Sequence, residues 1–313
     1  MRVALAQIAP VLLDRGATSL KVVDTIKLAA SKGAALVCFG ETFLPAYPLW
    51  ISRLESSRFD ADDQKELHSI YLRESVQIER GDLSEVCDAA RNHKIWIVIG
   101  IAEKPLDRGG HSIFASAVTI NSNGEIVSVH RKLMPTYEER LAWSPGDAHG
   151  LIAHDAHGFR IGTLNCWENW MPLPRAALHA LGVNLHIALW PGSVENTKDI
   201  TRFIARESRS YVLSVSTLIR ARDIPSSIPH HNRIAPNRNE IIHNGGSAAA
   251  NPDGSWLLEP QPDVEDVFIL DLDRAFVDRE RQNFDPSGHY ARPELLNLKV
   301  DRTRHQNTEF VDE

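Results

Sequence analysis

The feature that most limits the fold of this chain is a series of short, almost wholly apolar runs. Residues 35–39, 95–100 and 185–190 are rich in branched and aromatic side chains, and glycine or proline closes each run. Runs of this length with such ends are typical of buried strands. Apolar residues at helical spacing lie between them, as in residues 20–29. Strands that alternate with helices predict an α/β domain built on a mixed sheet or on two packed sheets.

Two turn signals add antiparallel hairpins to this pattern. Residues 113–120 and 125–130 flank an Asn-Gly pair, which is a strong short-range signal for a hairpin. Residues 151–153 and 159–165 repeat the arrangement around a His-Gly pair. Residues 221–243 contain several prolines and show no periodicity, so we expect a loop there.

Length and charge limit the class of protein. The chain has 313 residues, of which 43% are hydrophobic and 24% are charged, as expected for a globular protein with a sizeable core. The net charge is −7 and no basic stripe occurs, so we expect no nucleic-acid partner. No apolar run is long enough to span a bilayer, so we expect no membrane partner. We predict one domain over residues 1–295 and a polar C-terminal tail over residues 296–313.

The cysteines indicate the compartment. Cys38, Cys87 and Cys166 form no CxxC pair and their number is odd. That pattern is typical of a reducing compartment rather than of a disulfide framework. The first residues read as a strand and carry no secretory pattern. We therefore expect a cytoplasmic protein, with Cys38 packed in a buried strand and Cys87 core-facing or half-buried on a helix.

Cys166 has the most suggestive surroundings of the three. It lies between a predicted strand at residues 160–165 and a proline-containing turn that leads into a helix at residues 175–181. Backbone N–H groups and the positive end of a helix favour a thiolate at such a junction, which suits a nucleophile. The alternative is a small core residue, because free cysteine is among the most buried residue types.

Two other residues occupy the same kind of position as Cys166. Glu41 follows the strand at residues 35–39, and Lys132 follows the strand at residues 125–130. Active sites of α/β proteins gather at the carboxyl ends of strands. A carboxylate can act as general base, a lysine can stabilise developing negative charge, and a thiol can attack an electrophilic carbon. The alternative is a surface ion pair and an unrelated core cysteine.

Several separated segments carry a resemblance to a known family. The surroundings of Glu41, Lys132 and Cys166 resemble the three catalytic blocks of the nitrilase superfamily. The segments that carry the likeness are residues 40–48, 130–136, 139–143, 145–147, 165–169 and 284–293. They occur in the order in which the family has them, and the likeness covers about residues 2–295. The motif Cys-Trp-Glu-Asn at residues 166–169 is similar to the one found in the nitrilase branch of this superfamily.

The resemblance implies an α/β fold, a four-layer α-β-β-α sandwich, that assembles as a homodimer or a larger homo-oligomer through the face bearing the cysteine helix. It also implies a Glu41–Lys132–Cys166 triad and a second glutamate at Glu139, with Glu138 as the neighbouring alternative. The implied reaction is hydrolysis of a small-molecule nitrile to a carboxylic acid and ammonia through a cysteine thioimidate and thioester. The alternatives are an amidase or carbamoyl hydrolase with the same triad, or a catalytically silent scaffold member.

The resemblance implies neither a metal nor an organic cofactor, and the pair His230-His231 lacks the context of metal ligands. Tyr47, Trp167 and Trp190 lie beside the Glu41 loop or predicted strand ends, so we expect them to line the substrate pocket. Their alternative role is core packing, since buried aromatic residues dominate cores.

Overall fold

Two sheets dominate the structure, a computed structural model that describes residues 1–304, 308 and 311. The first sheet has six strands in the order β13-β1-β2-β3-β4-β5, of which β1, β2 and β3 are mutually parallel. Its other neighbours are antiparallel. The strands are β1 (Arg2–Gln7), β2 (Leu36–Phe39), β3 (Trp96–Glu103), β4 (Phe114–Ile120), β5 (Ile126–Arg131) and β13 (Asp266–Asp271).

The second sheet has seven strands in the order β10-β11-β9-β8-β7-β6, with β12 paired to β11. Strands β7, β8 and β9 run parallel, and the remaining pairs are antiparallel. The strands are β6 (His154–Ala156), β7 (Phe159–Asn165), β8 (Leu185–Trp190), β9 (Tyr211–Ser216), β10 (Leu218–Arg220), β11 (Ile241–Ala250) and β12 (Trp256–Pro262).

Helices cover the outer face of each sheet. Helices α1 (Arg15–Ser31) and α4 (Ser84–His93) pack on the first sheet, and α5 (Pro172–Ala180) and α7 (Ile200–Ser208) pack on the second. The remaining helices are α2 (Trp50–Arg53), α3 (Asp62–Glu74), α6 (Val194–Thr197), α8 (His231–Ile234) and α9 (Arg274–Arg281). In the described part of the chain, no helix has the length and hydropathy that a bilayer crossing requires.

The core between the two sheets explains the apolar runs. In β2, Leu36 and Cys38 face the second sheet, whereas Val37 and Phe39 face the helices on the other side. A strand that is buried on both faces must be apolar at every position, because successive side chains point to opposite faces. The layers are therefore helix, sheet, sheet and helix, and the predicted four-layer sandwich is confirmed.

The structure differs from the sequence prediction in several places, among them the short elements β10 and α6, which were not predicted. The strand expected at residues 151–153 is instead β6, three residues later, because Leu151 packs against the cluster under α5. Residues 221–243 are not all loop, since they contain α8 and the start of β11. Helix α9 was not predicted, because Val277 is its one buried residue and no apolar stripe marks it.

The predicted tail lies partly outside the described residues, which omit 305–307, 309–310 and 312–313. In its described part, Arg304 forms an ion pair of 3.4 Å with Asp147. Cys38 is fully buried and Cys87 is half-buried, so both expectations for these thiols are confirmed.

Candidate active site

The carboxyl ends of three strands meet at one buried cluster. Glu41 follows β2, Lys132 follows β5 and Cys166 follows β7, with at most 3% of each residue exposed. The Lys132 Nζ lies 2.8 Å from Glu41 Oε1 and 2.6 Å from Glu139 Oε2. A carboxylate oxygen of each glutamate and the Cys166 sulfur all lie within 4.8 Å of one another. A surface ion pair is thereby excluded, because all the charges are buried.

Glu139, not Glu138, belongs to the cluster. Its carboxylate accepts a hydrogen bond from Lys132 and another, 2.6 Å long, from the backbone N–H of Thr136. The Tyr47 hydroxyl donates to its other oxygen at 3.3 Å. A short turn at Tyr137–Leu141 presents Glu139 in this way, and its first residue has a φ of 44°.

Cys166 begins a short 3₁₀ turn and has a φ of 48°, a left-handed conformation that is uncommon for cysteine. The amide of Asn169 donates to the Cys166 carbonyl at 2.8 Å. The side-chain oxygen of Asn169 lies 2.7 Å from the ring nitrogen of His186 on β8. Non-glycine residues in such conformations cluster at functional sites, where surrounding contacts hold them. Asn169 is one of the contacts that hold this turn.

Glu168 is a site residue that the sequence reasoning missed. It is 1% exposed, and its carboxylate accepts hydrogen bonds from the backbone N–H groups of Leu133 at 2.6 Å and Asn165 at 2.8 Å. His130 Nε2 lies 3.1 Å from both carboxylate oxygens. The signal was present in the sequence, because Asn followed three residues later by Glu is the spacing of a helical capping box.

The electrostatics of the cluster favour a protonated thiol rather than a standing thiolate. Burial, followed by the nearby charge of Glu41, raises the pKa of Cys166 well above its ordinary value, although Lys132 and the backbone N–H of Trp167 act in the other direction. Burial also raises the pKa of Glu41 to about 8, against the attraction of Lys132. The prediction that this junction favours a thiolate at Cys166 is therefore wrong.

Lys132 and Tyr47 keep their protons. Burial alone lowers the pKa of Lys132, but the thiol and the two carboxylates around it outweigh burial and hold that pKa above its ordinary value. Burial and the Glu139 carboxylate raise the pKa of Tyr47 well above its ordinary value, so its hydroxyl remains a donor.

The three expected pocket residues lie in different surroundings. Tyr47 contacts Glu139 and packs edge-on against Trp143. Trp190 ends β8, is fully buried and belongs to the same apolar cluster as Cys166. The Trp167 side chain is 52% exposed, with its ring 6.2 Å from that of Trp170.

Two carboxylates and a thiol in such proximity are ligands that a divalent cation could use. Here the Lys132 ammonium lies against both carboxylates, so it already supplies the positive charge that a cation would bring. His230, from the histidine pair considered above as metal ligands, does not belong to this cluster. Its ring nitrogen instead lies 3.1 Å from a carboxylate oxygen of Glu66.

The family model that matches this chain is the carbon-nitrogen hydrolase model, and it covers residues 2–282. The chain belongs to the carbon-nitrogen hydrolase family. It is 32% identical to an aliphatic nitrilase from Rhodococcus rhodochrous, over 99% of this chain and 82% of that protein. It is 33% identical to a nitrilase 2 from an unknown prokaryotic organism, over 98% and 94%. An arylacetonitrilase from Aspergillus niger is 33% identical, over 96% and 92%. The predicted resemblance to nitrilases is confirmed.

Solved structures of this hydrolase family share the fold. A carbon-nitrogen hydrolase from Helicobacter pylori G27 aligns with a TM-score of 0.71 at 18% identity, over 95% of this chain and 97% of its own. An amidase from Nesterenkonia sp. AN1 aligns with a TM-score of 0.62 at 18% identity, over 90% and 97%. At this identity the alignment supports the four-layer fold alone.

Proposed function

We propose that this carbon-nitrogen hydrolase is a nitrilase, which converts an organic nitrile and two water molecules into a carboxylic acid and ammonia. The observation that carries the proposal is the buried Lys132 ammonium, bracketed by Glu41 and Glu139 beside the thiol of Cys166. The full-length similarity to three proteins named as nitrilases supports the same reaction.

The first half of the reaction forms a carbon–sulfur bond. Glu41 takes the proton of Cys166, and the sulfur attacks the nitrile carbon as the carbon–nitrogen triple bond opens to a double bond. Negative charge develops on the nitrogen, where the Lys132 ammonium and the backbone N–H of Trp167 are available to stabilise it. The nitrogen then receives the proton held by Glu41, which gives a neutral thioimidate.

The second half consumes two water molecules. Glu41 removes a proton from the first water as its oxygen adds to the thioimidate carbon, and Glu41 passes this proton to the nitrogen. The new hydroxyl then gives its proton to the nitrogen by way of Glu41, the carbon–nitrogen bond breaks, and ammonia leaves a thioester behind. A second water adds in the same way, the carbon–sulfur bond breaks, and the acid departs as Cys166 recovers its proton. If carbon–sulfur cleavage precedes the loss of ammonia, the product is an amide instead.

The test is ammonia release from an aliphatic nitrile, benzonitrile, phenylacetonitrile and the matching amides. We expect release from at least one nitrile with the wild type and none with Cys166→Ala. Cys87→Ser is the matched control, because it changes a thiol that lies outside the cluster. Release from amides alone would replace the proposal with an amidase that uses the same triad. Failure of every substrate to react would favour a silent scaffold protein.

We propose in addition that the chain assembles as a homodimer or a larger homo-oligomer. The support is a group of exposed apolar side chains beside the cysteine turn: Trp167, Trp170, Met171, Leu173 and Phe203. Exposed apolar patches are typical of protein interfaces. Light scattering of the wild type and of Leu173→Glu tests this, since we expect the charge to reduce the assembled mass.

We also propose one domain over residues 1–295, a cytoplasmic location, and a pocket lined by Tyr47, Trp190 and Trp167. The pocket proposal is supported for Tyr47 by its contact with Glu139 and for Trp190 by its packing beside Cys166. For Trp167 the support is its backbone N–H at the thiol.

A further inference from the structure

A single buried carboxylate connects the loop that carries the lysine to the turn that carries the cysteine. Glu168 Oε1 accepts from the backbone N–H of Leu133, the residue directly after Lys132. Its Oε2 accepts from the backbone N–H of Asn165, the residue directly before Cys166. The two bonds join the ends of β5 and β7, which belong to different sheets.

The carboxylate is held in place from a third direction. His130 on β5 lies with its Nε2 3.1 Å from both oxygens of Glu168, and both side chains are at most 2% exposed. Burial alone would raise the pKa of Glu168. The charge of His130, its hydrogen bond and the two backbone N–H groups together lower that pKa. Glu168 is therefore an ionised acceptor with both oxygens in use.

We infer that Glu168 is a positioning residue, which fixes the distance between the Lys132 ammonium and the Cys166 thiol by binding the backbone beside each of them. The inference rests on the proposed function for its kinetic part. Glu168 forms no hydrogen bond with the ammonium or the thiol, so its positioning role is exerted through the two backbone segments. Its charge also adds to the rise in the pKa of Glu41 to about 8, so rates are compared on the plateau above that pH. An error of about 1 Å in such a cluster is enough to slow catalysis strongly.

The decisive variant is Glu168→Gln. An amide has one acceptor oxygen and one donor nitrogen, so it can satisfy only one of the two backbone N–H groups and opposes the other. We expect kcat to fall about 100-fold, which is about 2.7 kcal/mol at 1.36 kcal/mol per factor of ten. The KM should stay within about threefold, because no contact with the substrate is removed.

The experiment has two readouts, both expressed per reactive Cys166 so that a misfolded fraction does not count. The first is the rate at which iodoacetamide alkylates Cys166, followed by the mass of the peptide that contains it, which separates it from Cys38 and Cys87 and needs no nitrile turnover. The second is kcat and KM for the preferred nitrile. Glu103→Gln is the matched control, because Glu103 is a buried carboxylate of the first sheet that accepts from the side chains of Arg131 and Ser116.

A fall of about tenfold or more in alkylation and in kcat for Glu168→Gln, with Glu103→Gln near wild type, would support the inference. Wild-type rates per thiol in Glu168→Gln, accompanied by a lower melting temperature, would overturn it and leave Glu168 a purely structural residue. If Glu168→Gln does not fold, Glu168→Asp replaces it, because a shorter carboxylate cannot reach both N–H groups. Slower alkylation in a protein that hydrolyses no nitrile would support the positioning role and reject the proposed function.

Discussion

Replacement of Glu139 by glutamine should move the pH dependence of the whole cluster. Glu139 accepts from Lys132, from the Thr136 backbone and from the Tyr47 hydroxyl. Glutamine has the same shape and keeps an acceptor oxygen for Lys132 and Thr136, while its amide nitrogen can donate to the Tyr47 oxygen. Glu139→Gln therefore removes a buried negative charge with little change of geometry.

The direction of the effect follows from the charges. Burial comes first among the causes that raise the pKa of Glu41 to about 8, and the Glu139 carboxylate adds to the rise. Because Glu41 acts as base only when it is deprotonated, kcat/KM of the wild type should increase about tenfold per pH unit up to about pH 8 and then level off. Without the charge of Glu139, Glu41 loses its proton at a lower pH.

The distance sets the size of the effect. Carboxylate oxygens of Glu41 and Glu139 lie within 4.8 Å of each other. Two unit charges at that distance repel by about 3.5 kcal/mol at an effective dielectric constant of ~20. That energy corresponds to about 2.5 pH units at 1.36 kcal/mol per unit. Because the centres of the carboxylates are further apart than their nearest oxygens, we expect the acid limb to move down by about 1–2 pH units.

Two assays measure this shift from about pH 5 to about pH 10. One is kcat/KM for the preferred nitrile. The other is the alkylation rate of Cys166 by iodoacetamide, which remains measurable where turnover is weak. Both should move in the same direction, because the Glu139 charge also raises the pKa of Cys166. The level of kcat in Glu139→Gln should be lower by about 10–100-fold, since a charge-assisted hydrogen bond to Lys132 is weakened.

Glu138→Gln is the control, because it removes the same charge from the adjacent, half-buried residue that lies outside the cluster. We expect its acid limb to coincide with that of the wild type. An unchanged limb in Glu139→Gln, or an equal shift in both variants, would refute the assignment of Glu139 and the electrostatic argument together.

Three further outcomes follow. Cys166→Ala should abolish ammonia release while lowering the melting temperature by only about 2–4 °C. Substantial residual turnover would refute the assignment of Cys166 as the nucleophile of the triad. Cys38→Ala and Cys87→Ser should retain the wild-type kcat, and loss of turnover with a native melting curve would mean that the nucleophile is misassigned. Lys132→Met should cost about 3–5 kcal/mol of stability at pH 8, because it leaves two carboxylates buried without their cation. Lys132 lowers the pKa of Glu41, so without it the folded variant keeps a proton on Glu41 at pH values above about 8, where the wild type has released it. The deficit should therefore shrink as the pH falls toward about 8, and a deficit that grows on acidification in a melting series would contradict this.

The fold was predictable where burial is uniform. Residues 36–39, 96–103 and 185–190 are strands between two apolar layers, so their composition alone reveals them. Helix α9 was not predictable in this way, because its contacts with the core come from Val277 and the partly buried Phe276, which are adjacent in the sequence. Two neighbouring apolar residues do not make the i, i+3, i+4 pattern by which an amphipathic helix is recognised.

The reacting residues of the site were predictable from the sequence, but the residues that hold them in place were not. Glu41, Lys132 and Cys166 could be proposed as a group because each follows a strand. The resemblance to the nitrilase superfamily was needed to favour that group over a surface ion pair and an unrelated core cysteine. For Glu168 the sequence marks only the local contact, the capping-box spacing to Asn165. Its contacts with His130 and Leu133 join segments far apart in the chain, and no pattern in the sequence marks them. The raised pKa of the thiol was equally hidden, since it depends on a degree of burial that only the packed structure fixes.

The close packing of the two sheets is what makes this chemistry possible. Gly40 precedes Glu41, and a Cβ at Gly40 would lie 2.7 Å from the carbonyl oxygen of Trp190 at the end of β8 in the second sheet. A Cβ at Gly100 on β3 would in turn lie 2.3 Å from the carbonyl oxygen of Gly40. The Glu41 N–H then donates to the Trp190 carbonyl at 3.1 Å, which ties the base to the sheet that carries the nucleophile. The base and the lysine belong to one sheet and the thiol to the other, so a side chain at Gly40 would press the two sheets apart. A side chain at Gly100 would displace the base itself, because its Cβ would lie 2.7 Å from the backbone carbonyl carbon of Glu41.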